Sequence, residues 1–195
     1  MPAFHSAVLF LFALSASAGE IAVSMGWGAK SVQTGAQRVS VSSRSAVLVN
    51  AGGNFFNIGA AAIGWEVPLA IGGPQRAAVF GSGNQAVVSA DSVSFAFTPG
   101  LRLRVLPVSP LTPWVSLGAG GARVNQAMAG TGPTASVRSS TAFRFASSVA
   151  GGVDFKPLPA LLLRAELRNF RYSLPNVPDA SRNSLLFLAG VGIRF

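Results

Sequence analysis

The segment 185–195, LLFLAGVGIRF, constrains the fold of this chain more than any other. Leu185, Phe187, Ala189, Val191, Ile193 and Phe195 recur at every second residue, and Gly190, Gly192 and Arg194 lie between them. Successive side chains of a strand point to opposite faces, so this tail is a strand with one apolar surface and one narrow, partly charged surface. A tilted strand of roughly 9 to 11 residues is what a β-barrel needs to cross a bilayer.

At the other end, residues 7–14 form an apolar run too short for a membrane helix, followed by Ala16-Ser17-Ala18. Small residues in that place suit a signal peptidase, so a signal peptide is expected over 1–18 and a barrel domain over 19–195. The leader carries no Lys or Arg, only His5 and the terminal amine; a buried N-terminal strand is the alternative.

Charged residues make up only 11% of the chain, against about 25% in ordinary soluble domains. Mean hydropathy is +0.48, yet no later stretch reads as a membrane helix. The uncharged span 45–65 holds Asn50, Asn54, Asn57 and the Gly52-Gly53 pair, and 105–122 is interrupted by Pro107, Pro110 and Pro113. Only helices and closed barrels satisfy every backbone polar group in lipid, so a barrel is what remains. Cysteine is absent, which rules out disulfides and thiolate metal sites. The net charge of +9 comes from 15 basic and 6 acidic residues. The basic residues are scattered rather than clustered, which argues against nucleic acid as a partner.

Eight antiparallel strands are expected, with alternately tight and long connections. The first covers 20–28, with Ile21, Val23, Met25 and Trp27 opposite Ala22, Ser24 and Gly26. The second is expected within 55–69, with 45–50 as a ribbon extending the preceding loop, and 71–74 as a tight turn. The weakest pattern is the third strand, 76–81. The fourth, 93–105, is the clearest: Val93, Phe95, Phe97, Pro99, Leu101, Leu103 and Val105 alternate with Ser94, Ala96, Thr98, Gly100, Arg102 and Arg104. A turn at 107–113 leads to the fifth strand at 114–124, and a long loop at 127–140 to the sixth at 142–156. Pro157-Leu158-Pro159 turns into the seventh strand at 161–174, and a loop at 175–183 leads to the last.

Three stretches, FTPGLRLRVLP at 97–107, PWVSLGAGGARV at 113–124 and LFLAGVGIRF at 186–195, resemble the outer-membrane β-barrel domain family related to the transmembrane part of outer membrane protein A. The first two resemble its central hairpin. The third is similar to the terminal signal read by the barrel-assembly machinery, which implies an assembly role for Phe187, Val191, Ile193 and Phe195. The resemblance implies an eight-stranded up-and-down transmembrane barrel in the outer membrane of a Gram-negative cell envelope, in contact with lipid and lipopolysaccharide and acting as a monomer. Nothing here resembles the periplasmic peptidoglycan-binding domain that some relatives carry.

Alternation alone does not say which face meets lipid, and a soluble lipocalin-like ligand-binding barrel has the same period. Gly118, Gly120, Ala150, Gly152, Gly190 and Gly192 on the polar face suit a tight lumen better than a solvated surface. On that reading Glu66, Arg102, Arg104, Arg144, Asp154, Arg164, Glu166 and Arg168 share the lumen as an ion-pair network with net positive charge left over. Trp65, Trp114, Phe155 and Phe195, all near one edge, are expected to form an interfacial aromatic girdle.

Catalysis is not expected. The lone histidine, His5, lies in the leader, so the mature chain lacks a Ser-His dyad, a thiol nucleophile and a His metal triad, and no cofactor is implied. Asp154 with Glu166 offers an acid/base pair, but countering arginine is the simpler role. The remaining readings are a structural or surface-interaction barrel, with Lys30, Arg38, Arg44, Arg138 and Arg182 near lipid phosphates, or a narrow, porin-like channel or small-ligand transporter.

Overall fold

The computed structural model describes residues 19–34, 37–41, 45–72, 75–79, 87–130, 137–173 and 181–195. Their strands are β1 (Gly19–Thr34), β2 (Gln37–Val41), β3 (Ser45–Ile58), β4 (Ala61–Gly72), β5 (Gln75–Val79), β6 (Val87–Phe97), β7 (Gly100–Val105), β8 (Leu111–Gly130), β9 (Val137–Phe155), β10 (Leu161–Ser173) and β11 (Ser181–Arg194). The expected signal segment 1–18 and Arg44 lie outside the described residues.

The sheet closes on itself. β1 pairs antiparallel with β3, β3 with β4, β4 with both β6 and β7, these with β8, and β8 through β9 and β10 to β11, which returns to β1 from Glu20↔Arg194 to Ser31↔Asn183. β6 and β7 are two halves of one stave, interrupted at Thr98-Pro99, where proline offers no donor to the ladder. Pro99 still accepts from the Ala119 amide at 3.1 Å. β2 and β5 pair only with β1 and β6, outside the ring. The ring is therefore eight-stranded and up-and-down, with turns 59–60, 106–110 and 156–160 at one rim together with Gly19 and Phe195. No described helix is long and apolar enough to cross a membrane.

Four expected boundaries are corrected. The stretch 55–69 is not one strand: Ile58 pairs with Ala61, so Gly59-Ala60 is a two-residue hairpin loop between β3 and β4. Gly59 has φ +57°, which glycine reaches without steric cost. The span 45–50 thus belongs to a wall strand rather than a loop ribbon, and Ile71 and Gly72 end β4 at the rim opposite the short turns. The expected third strand, 76–81, corresponds to β5 outside the ring, with Phe80 and Gly81 beyond the described residues. The long connection at 127–140 is also shorter than expected, because ladder pairs continue to Ala129↔Val137.

Inward and outward faces follow the alternation. Arg102 and Arg168 are buried at 1% and 0%, whereas Leu101, Leu117 and Ile193 are exposed at 60%, 66% and 58%. Val115, Phe145, Val149, Phe187 and Val191 join this outward belt. A soluble barrel would show the reverse polarity, so the lipocalin-like alternative is excluded. β8 runs 20 residues, about twice what a tilted strand needs to cross hydrocarbon, so the staves rise beyond the belt at the long-loop rim.

Leu117, opposite Leu101 and Val149 in the middle of the belt, gives a direct test of lipid contact. Leu117→Arg is expected to cost roughly 2–4 kcal/mol, the range for arginine on a barrel's lipid face near the bilayer midplane. Guanidinium titration of the protein folded into vesicles measures it; an unchanged midpoint would show that hydrocarbon does not surround this side chain.

Candidate functional site: the barrel interior

Inward residues form two layers. Near the short-turn rim four carboxylates and four arginines meet: Glu20 from β1, Glu66 from β4, Arg102 and Arg104 from β7, Asp154 from β9, and Arg164, Glu166 and Arg168 from β10. Glu20 Oε1 lies 2.5 Å from Arg102 Nη1, 2.6 Å from Arg104 Nη2 and 2.6 Å from Arg164 Nη2. Glu66 Oε2 accepts from Arg102 Nη2 at 2.5 Å and Nε at 3.0 Å, while its Oε1 accepts from Arg168 Nη1 at 3.0 Å. Asp154 takes a fork from Arg164, Nε at 2.7 Å and Nη2 at 2.9 Å, and Glu166 Oε1 accepts from Arg168 Nε at 2.8 Å. Neutral groups complete the set: Asn50 Nδ2 donates to Glu66 Oε2 at 3.4 Å, and Arg104 donates to the Asn54 side-chain oxygen.

Trp114 stands within this layer. Its Nε1 donates to Asp154 Oδ1 at 2.9 Å, and the guanidinium carbons of Arg102 and Arg164 lie 4.5 and 5.1 Å from its ring centroid. An indole face attracts a cation, so the ring holds both arginines. Gly152 makes the room: a Cβ there would come within 2.7 Å of the indole and 2.5 Å of the Ala165 carbonyl oxygen.

Toward the long-loop rim the interior becomes apolar. Leu48, Val124, Phe170, Tyr172, Leu186 and Leu188 form a buried cluster with several alanines. A cavity at its outer edge, lined by Phe170, Tyr172 and Leu186, has a volume of about 30 Å³. That is room for about one water molecule. Arg168 joins the layers, its guanidinium carbon 5.9 Å from the Phe170 ring.

Seven of the eight lumen residues expected from sequence come together. Arg144 does not join them: it is inward but half-buried, opposite Ala122 at the level of the apolar layer. Glu20 takes its place, and its even spacing with Ala22, Ser24 and Gly26 was the available signal. Exchanging Arg144 for Glu20 turns the expected positive surplus into a balance of four charges of each sign. The aromatic girdle is corrected too: Trp114 is inside, and Trp65, at 7% exposure, packs with Ala51, Val67 and Ile21, leaving Phe155 and Phe195 exposed. Phe187, Val191, Ile193 and Phe195 of the terminal segment all face outward. Among the described residues no group of acids or histidines is arranged to hold a metal, and Asp154 and Glu166 are each engaged by arginine.

In sequence, the chain matches no protein-family model and no curated protein. Solved structures resemble it in fold. Neisserial surface protein A superposes with a TM-score of 0.53 at 15% identity, over 91% of this chain and 97% of that one. The outer-membrane protease OmpT of Escherichia coli gives 0.52 at 11% identity, over 91% and 97%. The fold is that of the outer-membrane β-barrels.

Removing one charge from the balanced layer strands its partners. Glu66→Gln leaves Arg102 and Arg168 without their shared carboxylate and is expected to destabilise the barrel by about 3–5 kcal/mol. Gly152→Val, which presses on Trp114, is expected to cost about 1–3 kcal/mol. Denaturant titrations in vesicles measure both; losses below about 1 kcal/mol for each would mean that neither the pairing nor the fit around the indole supports the fold.

Proposed function

We propose that the chain is an integral outer-membrane β-barrel protein, similar to the transmembrane domain of outer membrane protein A, with a structural or surface-interaction role and a lumen closed by its own side chains. The observation that carries this reading is the pairing of an outward apolar belt with an interior filled by a neutral ion-pair layer and an apolar layer. Eight staves leave an interior just wide enough for side chains. The signal peptide over 1–18 would direct the chain to the envelope, and the terminal aromatic segment would engage the assembly machinery. The protein would work as a monomer, without a cofactor and without catalysis.

The surface role falls to the long-loop rim. Four of the chain's six acids are in the ion-pair layer, whereas Lys30, Arg38, Arg138 and Arg182, on β1, β2, β9 and β11, lie toward that rim with Asp91 of β6. An excess of positive charge beside the outer leaflet favours the phosphates of lipopolysaccharide. The alternative of a narrow channel or small-ligand transporter would require both interior layers to open.

Single-channel recording in planar bilayers separates the two readings. The refolded protein, shown to be folded by its shifted gel mobility before boiling, is expected to give no steps of conductance. Steady openings would overturn the closed lumen.

A further inference from the structure

The short-turn rim holds a cavity of about 450 Å³ whose floor is the ion-pair layer. Its charged lining is Arg104, Lys156, Arg194 and Glu20, and Asn54 and Asn57 supply amides. Glu20 Oε1 is already in contact with three arginines, so the one side-chain carboxylate of the lining is shared among several cations. Three cations against one side-chain carboxylate leave the lining positive.

Lys156 is fixed in place without being neutralised. Lys156 Nζ donates to the Pro107 carbonyl at 2.5 Å and to Thr112 Oγ1 at 2.7 Å, which occupies two of its three donors. Its backbone amide donates to Pro110 O at 2.8 Å, and that of Arg194 to Ala160 O at 2.9 Å. Arg194 has no ion-pair partner among the described residues, and its fork-shaped group is exposed. Burial, and then the nearby Arg194 and Arg104, hold the Lys156 ammonium below its ordinary pKa.

We infer that this cavity is a binding site for a phosphate group, held by Lys156 and Arg194 with Arg104 at its base. Phosphate offers acceptors in several directions, which suits donors arriving from a turn, from β7 and from β11; both lysine and arginine bind it through charge-assisted hydrogen bonds. The Lys156 ammonium is held by Pro107 and Thr112 before any ligand arrives, so it needs little ordering on binding. The phosphate could be a free ion or the headgroup of a phospholipid in the adjoining leaflet; the recognition chemistry is the same.

The test uses the refolded barrel in uncharged maltoside detergent, so it does not depend on where the protein resides in the cell. Phosphorus NMR titration with inorganic phosphate is expected to show saturable binding at one site per barrel. The variants Lys156→Gln and Arg194→Gln, each confirmed as folded by gel mobility, are expected to weaken it by roughly tenfold apiece. Arg123→Gln removes the same charge from the outer face and should leave binding unchanged. Saturation by short-chain phosphatidylglycerol, competing with phosphate and sensitive to the same two variants, would assign the site to a lipid headgroup and support the inference. Failure of both ligands to saturate, or equal affinity in the two site variants and the parent, would overturn it.

Discussion

A peptide group surrounded by hydrocarbon has no water to turn to, so each amide and carbonyl of the wall must find a partner in a neighbouring strand. The pairing of β1 with β11 meets that requirement at the last open edge. Much else follows from it. Closing the sheet with eight strands fixes a narrow bore, and a narrow bore admits only small residues or side chains that interlock. The glycines of the inner face and the tight nesting of Trp114 against Gly152 are two responses to the same limit.

Inside that bore, charge is tolerated because it is balanced. Unpaired ions out of water cost several kcal/mol each, whereas four carboxylates and four guanidinium groups paired with one another leave no net charge. Arginine suits this role better than lysine, since its planar fork can serve two acceptors at once. Arg102 does so between Glu20 and Glu66, and Arg164 between Glu20 and Asp154. The apolar layer needs no such balance and simply excludes water.

The period-two alternation made the fold legible in the sequence: every strand that carried it clearly, from 93–105 onward, is a stave of the ring. The lumen charges were legible for the same reason, since even spacing alone brought seven of them to one face. What escaped had a physical cause in each case. Gly59-Ala60 makes a hairpin from one positive-φ glycine without the proline that marks the other short turns, so 55–69 reads as unbroken. Arg144 shares the face of the ion-pair layer but not its depth, and alternation carries no information about depth. The apolar inner layer was hidden because Leu186 and Leu188 interrupt a face otherwise marked by glycine. Trp114 looked like an interfacial residue because sequence distance from a turn cannot tell an inward ring from an outward one.

Glu20 stands 144 residues from Arg164 and 82 from Arg102, and this separation governs how the protein can be made. The charges that compensate Glu20 reside on β7 and β10, so Glu20 of β1 reaches Arg164 only as β11 closes the ring against β1. Until then Glu20 must keep its own hydration shell, although pairs on neighbouring staves, such as Asp154 with Arg164, need no closure to form. Insertion of the wall and dehydration of its interior are thereby coupled to the final seam, and a half-built barrel is held in a wet, hydrated state until the ring is sealed.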